Sequence, residues 1–179
     1  MLTIDEFVSE AHKLIGVEAI KYDYTVEEAL TKGNNPETGF DCSGIWQYLL
    51  LKHGFDLYSS ELNRNIRFTR EFFDLFGKPI LYGEHKKGDF VFFSYSGAMP
   101  THMGLYIGDN QIIHKGFCDV SLVPTEPSGD YHKRIILSNL EIISDDRRNA
   151  GRPIKYIVNH LHGPQKYFTN PIGFKRFLE

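Results

Sequence analysis

Between positions 41 and 54 the chain reads DCSGIWQYLLLKHG, and Ile45, Trp46, Tyr48, Leu49 and Leu50 leave no broad polar face on the helix they predict. A helix apolar on nearly every side is stable only when it is surrounded, so this segment is expected to be the buried helix of the fold. What surrounds it follows from a change of period downstream. Residues 89–95, 103–107 and 111–115 are short runs rich in β-branched and aromatic side chains, bounded by Gly, Pro, Asn and Asp, which is the pattern of strands. Gly108-Asp109-Asn110 predicts a tight hairpin between the last two. The expected class is α+β, with helices packed on an antiparallel β-sheet.

Local signals fill in the rest. Thr3-Ile4-Asp5-Glu6 is a capping box, followed by Phe7, Val8, Ala11, Leu14 and Ile15 at helical spacing until Gly16. Residues 17–40 read as irregular, with turn formers dense over 33–39. A short helix is expected near 69–76. Ser138-Asn139-Leu140-Glu141 is a second capping-box signature and predicts a helix to about Ala150; Gly151 ends it, and 153–158 reads as a strand. From Asp145 to the last residue there are seven Lys/Arg against three Asp/Glu, read as a solvated basic face. A chain of 179 residues fits one domain, 1–179, with 117–179 as its C-terminal extension.

Composition excludes several classes. A formal net charge of -3 gives no basic footprint for neutralising phosphates, so no nucleic-acid partner is expected. No apolar run reaches the length of a membrane span. The first residues, MLTIDEFVSEAHKLIG, lack the basic and apolar regions of a secretory leader, so the chain as written is expected to be cytoplasmic, with export by a non-classical route as the alternative. Two cysteines, Cys42 and Cys118, are too few for a disulfide framework, and one of them reads as a reactive thiol.

That thiol is Cys42. A cysteine at the start of a helix lies near the positive end of the macrodipole and near unpaired N–H groups, which favour the thiolate and can bind an oxyanion. His102 opens one predicted strand and His114 lies near the end of the next. If 108–110 is the turn, both imidazoles lie toward one end of the hairpin, within hydrogen-bonding reach. One histidine can then take the thiol proton while the other orients it. Each residue alone has a bland reading, a packed core cysteine or a satisfied histidine; the combination shifts the balance toward chemistry. Zinc is the main rival for Cys42, His102 and His114, but closely spaced Cys/His pairs are missing, and His160-Leu161-His162 reads as exposed. Neither a metal nor another cofactor is expected, and Cys118 reads as packing.

The blocks Gly39-Phe40-Asp41-Cys42-Ser43-Gly44, Gly88-Asp89-Phe90-Val91-Phe92-Phe93, His102-Met103-Gly104-Leu105-Tyr106-Ile107-Gly108 and Ile113-His114 resemble, in their order, those of the NlpC/P60 family of papain-like cysteine peptidases. The resemblance spans about residues 33 to 116. It implies a papain-like core and hydrolysis of an amide bond in a small peptide or muropeptide derived from peptidoglycan, next to D-glutamate. It further implies Cys42 as nucleophile, His102 as base and then acid, and His114 as the residue that orients His102. Asp41 and Ser43 match positions that help bind the substrate's amino end in some members. The family's Tyr ahead of the nucleophile has no counterpart in the stretch from Glu28 to Gly33; Tyr22 or Tyr24 is the alternative. Residues 56–70 and 94–101 flank the expected cleft and are candidates for setting specificity. Acyl transfer, deamidation and a non-catalytic binding role stay open, as does the oligomeric state.

Overall fold

The computed structural model describes residues 2–15, 17, 25–81, 83–93, 99–109, 111–115, 135–140, 157–159, 163–165 and 171–179. Its helices are α1 (Ile4–Lys13), α2 (Val26–Ala29), α3 (Gly44–Lys52) and α4 (Thr69–Leu75). The strands are β1 (Asn34–Asn35), β2 (Gly39–Phe40), β3 (Tyr58–Ser59), β4 (Arg64–Asn65), β5 (Lys78–Ile80), β6 (Phe90–Phe93), β7 (His102–Gly108), β8 (Gln111–Lys115), β9 (Ile135–Leu140), β10 (Ile157–Asn159), β11 (Gly163–Gln165) and β12 (Pro171–Arg176). Eight of them form one sheet in the order β11-β10-β9-β8-β7-β6-β12-β5. Its described pairings are all antiparallel. This is the α+β architecture expected from the order of helical and period-two segments.

The buried helix is α3. Ile45, Trp46, Leu49 and Leu50 are essentially fully enclosed, and Trp46 lies 5.5 Å, ring centre to ring centre, from Phe90 of β6. Phe72 of α4, Phe7 of α1, and Met103, Leu105 and Ile113 of the hairpin complete the same cluster. Each such side chain contributes on the order of 1.5–3 kcal/mol by leaving water. This explains why a helix with few charged caps of its own is held in place. Both halves of the α1 capping box form: the Glu6 N–H donates to Thr3 Oγ1 at 3.2 Å, and the Thr3 N–H donates to Glu6 Oε2 at 2.8 Å. At the β7–β8 turn, Gly108 and Asp109 both have positive φ, 96° and 50°. Asp109 is the first of the two loop residues, where a tight two-residue hairpin turn of the primed type needs positive φ, and Gly108 lies at the register shift that precedes the turn.

Three expectations are revised. Residues 138–140 do not open a helix; they lie in β9, which pairs with β8 from His114↔Ile136 to Gln111↔Asn139. The open edge of β8 and the β-prone lead Ile135-Ile136-Leu137 outweigh a local capping signature. The remainder of that expected helix lies outside the described residues. The stretch read as irregular contains α2, whose start is a full capping box between Thr25 and Glu28. Finally, the basic tail is not simply solvated. Lys175 is buried, and Arg176 of β12 donates from Nε and Nη2 to the two oxygens of Asp89, each at 2.8 Å.

Asp89 is almost wholly buried, whereas Arg176 is 22% exposed, so the pair falls between the surface and fully buried cases. Arg176→Met is expected to destabilise the fold by about 2 kcal/mol. The check is the midpoint of urea unfolding, and an unchanged midpoint would show that the basic tail is dispensable to the sheet.

Candidate active site

The segment that carries Cys42 is held from two sides. On one side the Asp41 N–H donates to the Gly33 carbonyl at 2.8 Å, and Gly44 sits so close that a Cβ there would lie 1.8 Å from that same oxygen. On the other side is Arg67, buried to 1% exposure. A guanidinium has five N–H groups, and here all five are used. Nε donates to Ala29 O (2.8 Å), Nη1 to Asp41 Oδ1 (3.0 Å) and Ser43 Oγ (3.2 Å), and Nη2 to Lys32 O (2.7 Å) and Asp41 Oδ2. The last carbonyl of α2, Ala29 O, one of those that a helix leaves without an internal partner, is thereby satisfied, as is Lys32 O three residues further on. The same Asp41 Oδ1 accepts from the N–H groups of Ser43 (3.1 Å) and Gly44 (2.7 Å) and so caps α3.

Cys42 precedes the first helical residue by two positions and is buried to 7% exposure. Its Sγ is 3.5 Å from Thr69 Oγ1. Thr69 is placed by the strap that also carries Arg67. Gln47 of α3 donates to Ile66 O at 2.7 Å, and Glu71 Oε2 accepts from the N–H groups of Arg67 (2.8 Å) and Phe68 (3.1 Å). A cleft of about 330 Å³ opens beside the sulfur, lined by Val26, Cys42, Thr69, Arg70 and Thr101 among others.

His102 follows Thr101 directly, opens β7 and pairs with Phe93. Its Nε2 lies 2.9 Å from Nδ1 of His114, and both rings are fully buried. Gly104 makes room for this meeting, since a Cβ there would come within 3.1 Å of His114 Cβ. Burial, with lesser repulsion from His114 and Lys115, holds His102 well below the ordinary imidazole range. Burial likewise pushes His114 down to about 3, against a smaller opposing effect of a backbone hydrogen bond at Lys115. Both imidazoles are therefore neutral at physiological pH.

The structure thus brings Asp41, Cys42 and Ser43 to one cleft wall and His102 against His114. Two of the N–H groups expected to be open at the helix start, those of Ser43 and Gly44, are instead given to Asp41, because its carboxylate lies over the helix end. Asp41 and Ser43 line the cleft while engaged with Arg67. Arg67 and Thr69 were not visible as site residues in the sequence, although they fall in the 56–70 segment expected to flank the cleft. Pro100 and Thr101 line it from the second such segment. Tyr22, Tyr24, Cys118, His160 and His162 lie outside the described residues. Among the described residues no group of three or more His, Cys, Asp or Glu side chains could hold a metal, and no helix is long and apolar enough to cross a membrane.

The NlpC/P60 family model matches residues 27–140, and this chain belongs to the NlpC/P60 family. It is 34% identical over 174 residues to the gamma-DL-glutamyl hydrolase of Bacillus subtilis (strain 168), covering 93% of this chain and 35% of that protein. It is also 34% identical over 99 residues to the bifunctional muramidase/DL-endopeptidase CwlT of the same organism, covering 54% of this chain and 27% of that one. The chain therefore spans between about a quarter and about a third of the length of these relatives. Among solved structures, an NlpC/P60 family protein from Bacillus cereus ATCC 10987 superposes with a TM-score of 0.60 at 18% identity, covering 99% of this chain and 41% of that one. That likeness supports the papain-like NlpC/P60 fold.

Two outcomes follow from this geometry. Lysine cannot reproduce the planar fork of Arg67, so Arg67→Lys leaves buried acceptors unmet and is expected to cost about 3–5 kcal/mol in unfolding free energy. A loss under about 1 kcal/mol would contradict the role given to Arg67. The second concerns acid. Below about 6.5 the unfolded chain takes up a proton that folded His114 refuses until about 3. Stability is thus unaffected above that window and falls within it as pH drops, by about 1.4 kcal/mol per pH unit. His114→Gln should remove that contribution and flatten the slope measured by urea unfolding between about pH 6 and 4; equal slopes would place His114 in solvent.

Proposed function

We propose that this chain is a cysteine hydrolase that cleaves an amide bond next to D-glutamate in peptidoglycan-derived peptides, through a thioester on Cys42. The observation that carries the reading is the 2.9 Å contact between Nε2 of His102 and Nδ1 of His114, in a pair kept neutral by burial, with His102 following directly on Thr101, which lines the same cleft as Cys42. A base must begin unprotonated. With Nε2–H of His102 donating to His114, Nδ1 of His102 is the basic nitrogen, and His114 fixes that tautomer. The Cys42 S–H proton passes to His102 as the sulfur adds to the carbonyl carbon. The C–N bond then breaks, His102 returns the proton to the leaving amine, and water cleaves the thioester with His102 again as base. Asp41 and Ser43 hold the Cys42 segment and also line the cleft, which supports a role for them at the substrate's amino end.

The names of the relatives support the bond type. Both the gamma-DL-glutamyl hydrolase and the DL-endopeptidase are named for linkages between D and L residues, and the former aligns over 93% of this chain. Defined muropeptides containing a γ-D-glutamyl linkage, followed by mass spectrometry, are expected to be cut by the wild type and left intact by Cys42→Ala and His102→Ala. His114→Ala should retain a residual rate, lower by roughly 10²–10⁴-fold. Cleavage by Cys42→Ala would remove the thiol from the mechanism. Cleavage by none of the proteins would overturn the substrate class.

A further inference from the structure

We propose that Thr69 is the positioning residue of the nucleophile: its hydroxyl donates to the Cys42 sulfur and so favours the thiolate. This rests on the reading of Cys42 as nucleophile. The support is geometric. Thr69 Oγ1 and Cys42 Sγ are 3.5 Å apart, a hydrogen-bonding distance for sulfur, and Thr69 is 6% exposed, so water competes weakly for either atom. The contact is not incidental to packing. Asp41 is gripped by Arg67, and one residue after Asp41 and two after Arg67 the same two segments meet again at Cys42 and Thr69. The nucleophile's segment is therefore clamped at two successive residues by one strap. That strap is itself fixed by Gln47 at Ile66 O and by Glu71 at the N–H groups of Arg67 and Phe68.

A hydroxyl can donate or accept. Toward a thiol it can do either, but toward a thiolate it can only donate, and hydrogen bonds to a charged partner are the stronger kind. The contact therefore stabilises S⁻ relative to S–H. The proton leaves Cys42 for His102, the Thr69 O–H turns to the sulfur, and the bond is released as the S–C bond forms and the sulfur loses its charge. Lowering a thiol pKa also lowers its intrinsic nucleophilicity, but only with a slope of about 0.4–0.5. The net effect on rate stays favourable as long as the thiolate is the minority form.

The test is the pH dependence of iodoacetamide alkylation at Cys42, read by peptide mapping so that Cys118 does not contribute, together with kcat and KM for muropeptide cleavage. In Thr69→Val the inflection is expected to move up by about one pH unit, kcat to fall several-fold and KM to hold. Thr69→Ser, which keeps the hydroxyl, should stay near the wild-type inflection. Thr69→Ala serves the same purpose as Thr69→Val if the valine variant does not fold. An unmoved or lowered inflection in a folded Thr69→Val or Thr69→Ala protein overturns the proposal, as does a serine variant that shifts as far as the valine one. If wild-type Cys42 itself titrates as an ordinary thiol near about 8.5, what fails is the prior reading of Cys42 as an activated nucleophile.

Discussion

A buried ion pair organises this molecule. Taking a carboxylate and a guanidinium out of water costs several kcal/mol per ion, and the attraction between them repays that only when every remaining donor and acceptor finds a partner. Asp41 and Arg67 meet the condition. The guanidinium's five N–H groups reach Asp41, Ser43, Ala29 and Lys32, and the carboxylate takes two backbone N–H groups as well. The consequence is mechanical. The end of α2, the segment ahead of α3 and the strap leading into α4 share one planar junction, so none can shift without stranding a charge. A hydrophobic junction of the same volume is often as stable, but it would lack the directed hydrogen bonds that tie these three segments together.

The opposite side of the Cys42 segment depends on the absence of side chains. Gly33, with φ of 72°, presents its carbonyl to both the Asp41 N–H and the bare Cα of Gly44. An alanine at 44 would place its methyl group inside that oxygen's contact radius. Backbone on one side and a guanidinium on the other leave Cys42 little freedom, and in the proposed reaction this matters. Misplacement by about 1 Å can cost on the order of a hundredfold in rate, so the strength of the scaffold belongs to the chemistry.

Much of this was legible in the sequence because the signals involved are local. An all-round apolar helix must be buried, and a two-residue turn between strands must bring His102 and His114 toward one end. A capping box at Thr3 must start a helix. The same signature shows where local reading stops. It occurs at Thr25, where it opens α2, and at Ser138, where it does not, because the free edge of β8 recruits those residues as β9. Arg67 and Thr69 escaped for a different reason. Their partners lie 26 and 27 positions away, and no periodicity or spacing rule connects an arginine in a polar stretch to an aspartate before a helix. Asp41 was visible at the helix start, but its use as the cap of α3 and the anchor of Arg67 appears only when the two segments meet.

The neutrality of the histidine pair follows from the same economy of buried charge. In the proposed reaction His102 becomes an imidazolium only transiently, and the group that must tolerate it is another imidazole with a lone pair at Nδ1. A carboxylate in place of His114 would stabilise the charged form in the resting enzyme and carry its own charge into a fully buried site. In the proposed tautomer His114 is instead a neutral acceptor whose bond to Nε2–H strengthens as His102 gains its proton, since charge-assisted hydrogen bonds are roughly twice as strong as neutral ones. The added strength then appears only at the step where charge develops. Only an interaction that grows along the reaction coordinate lowers the barrier rather than deepening the starting well.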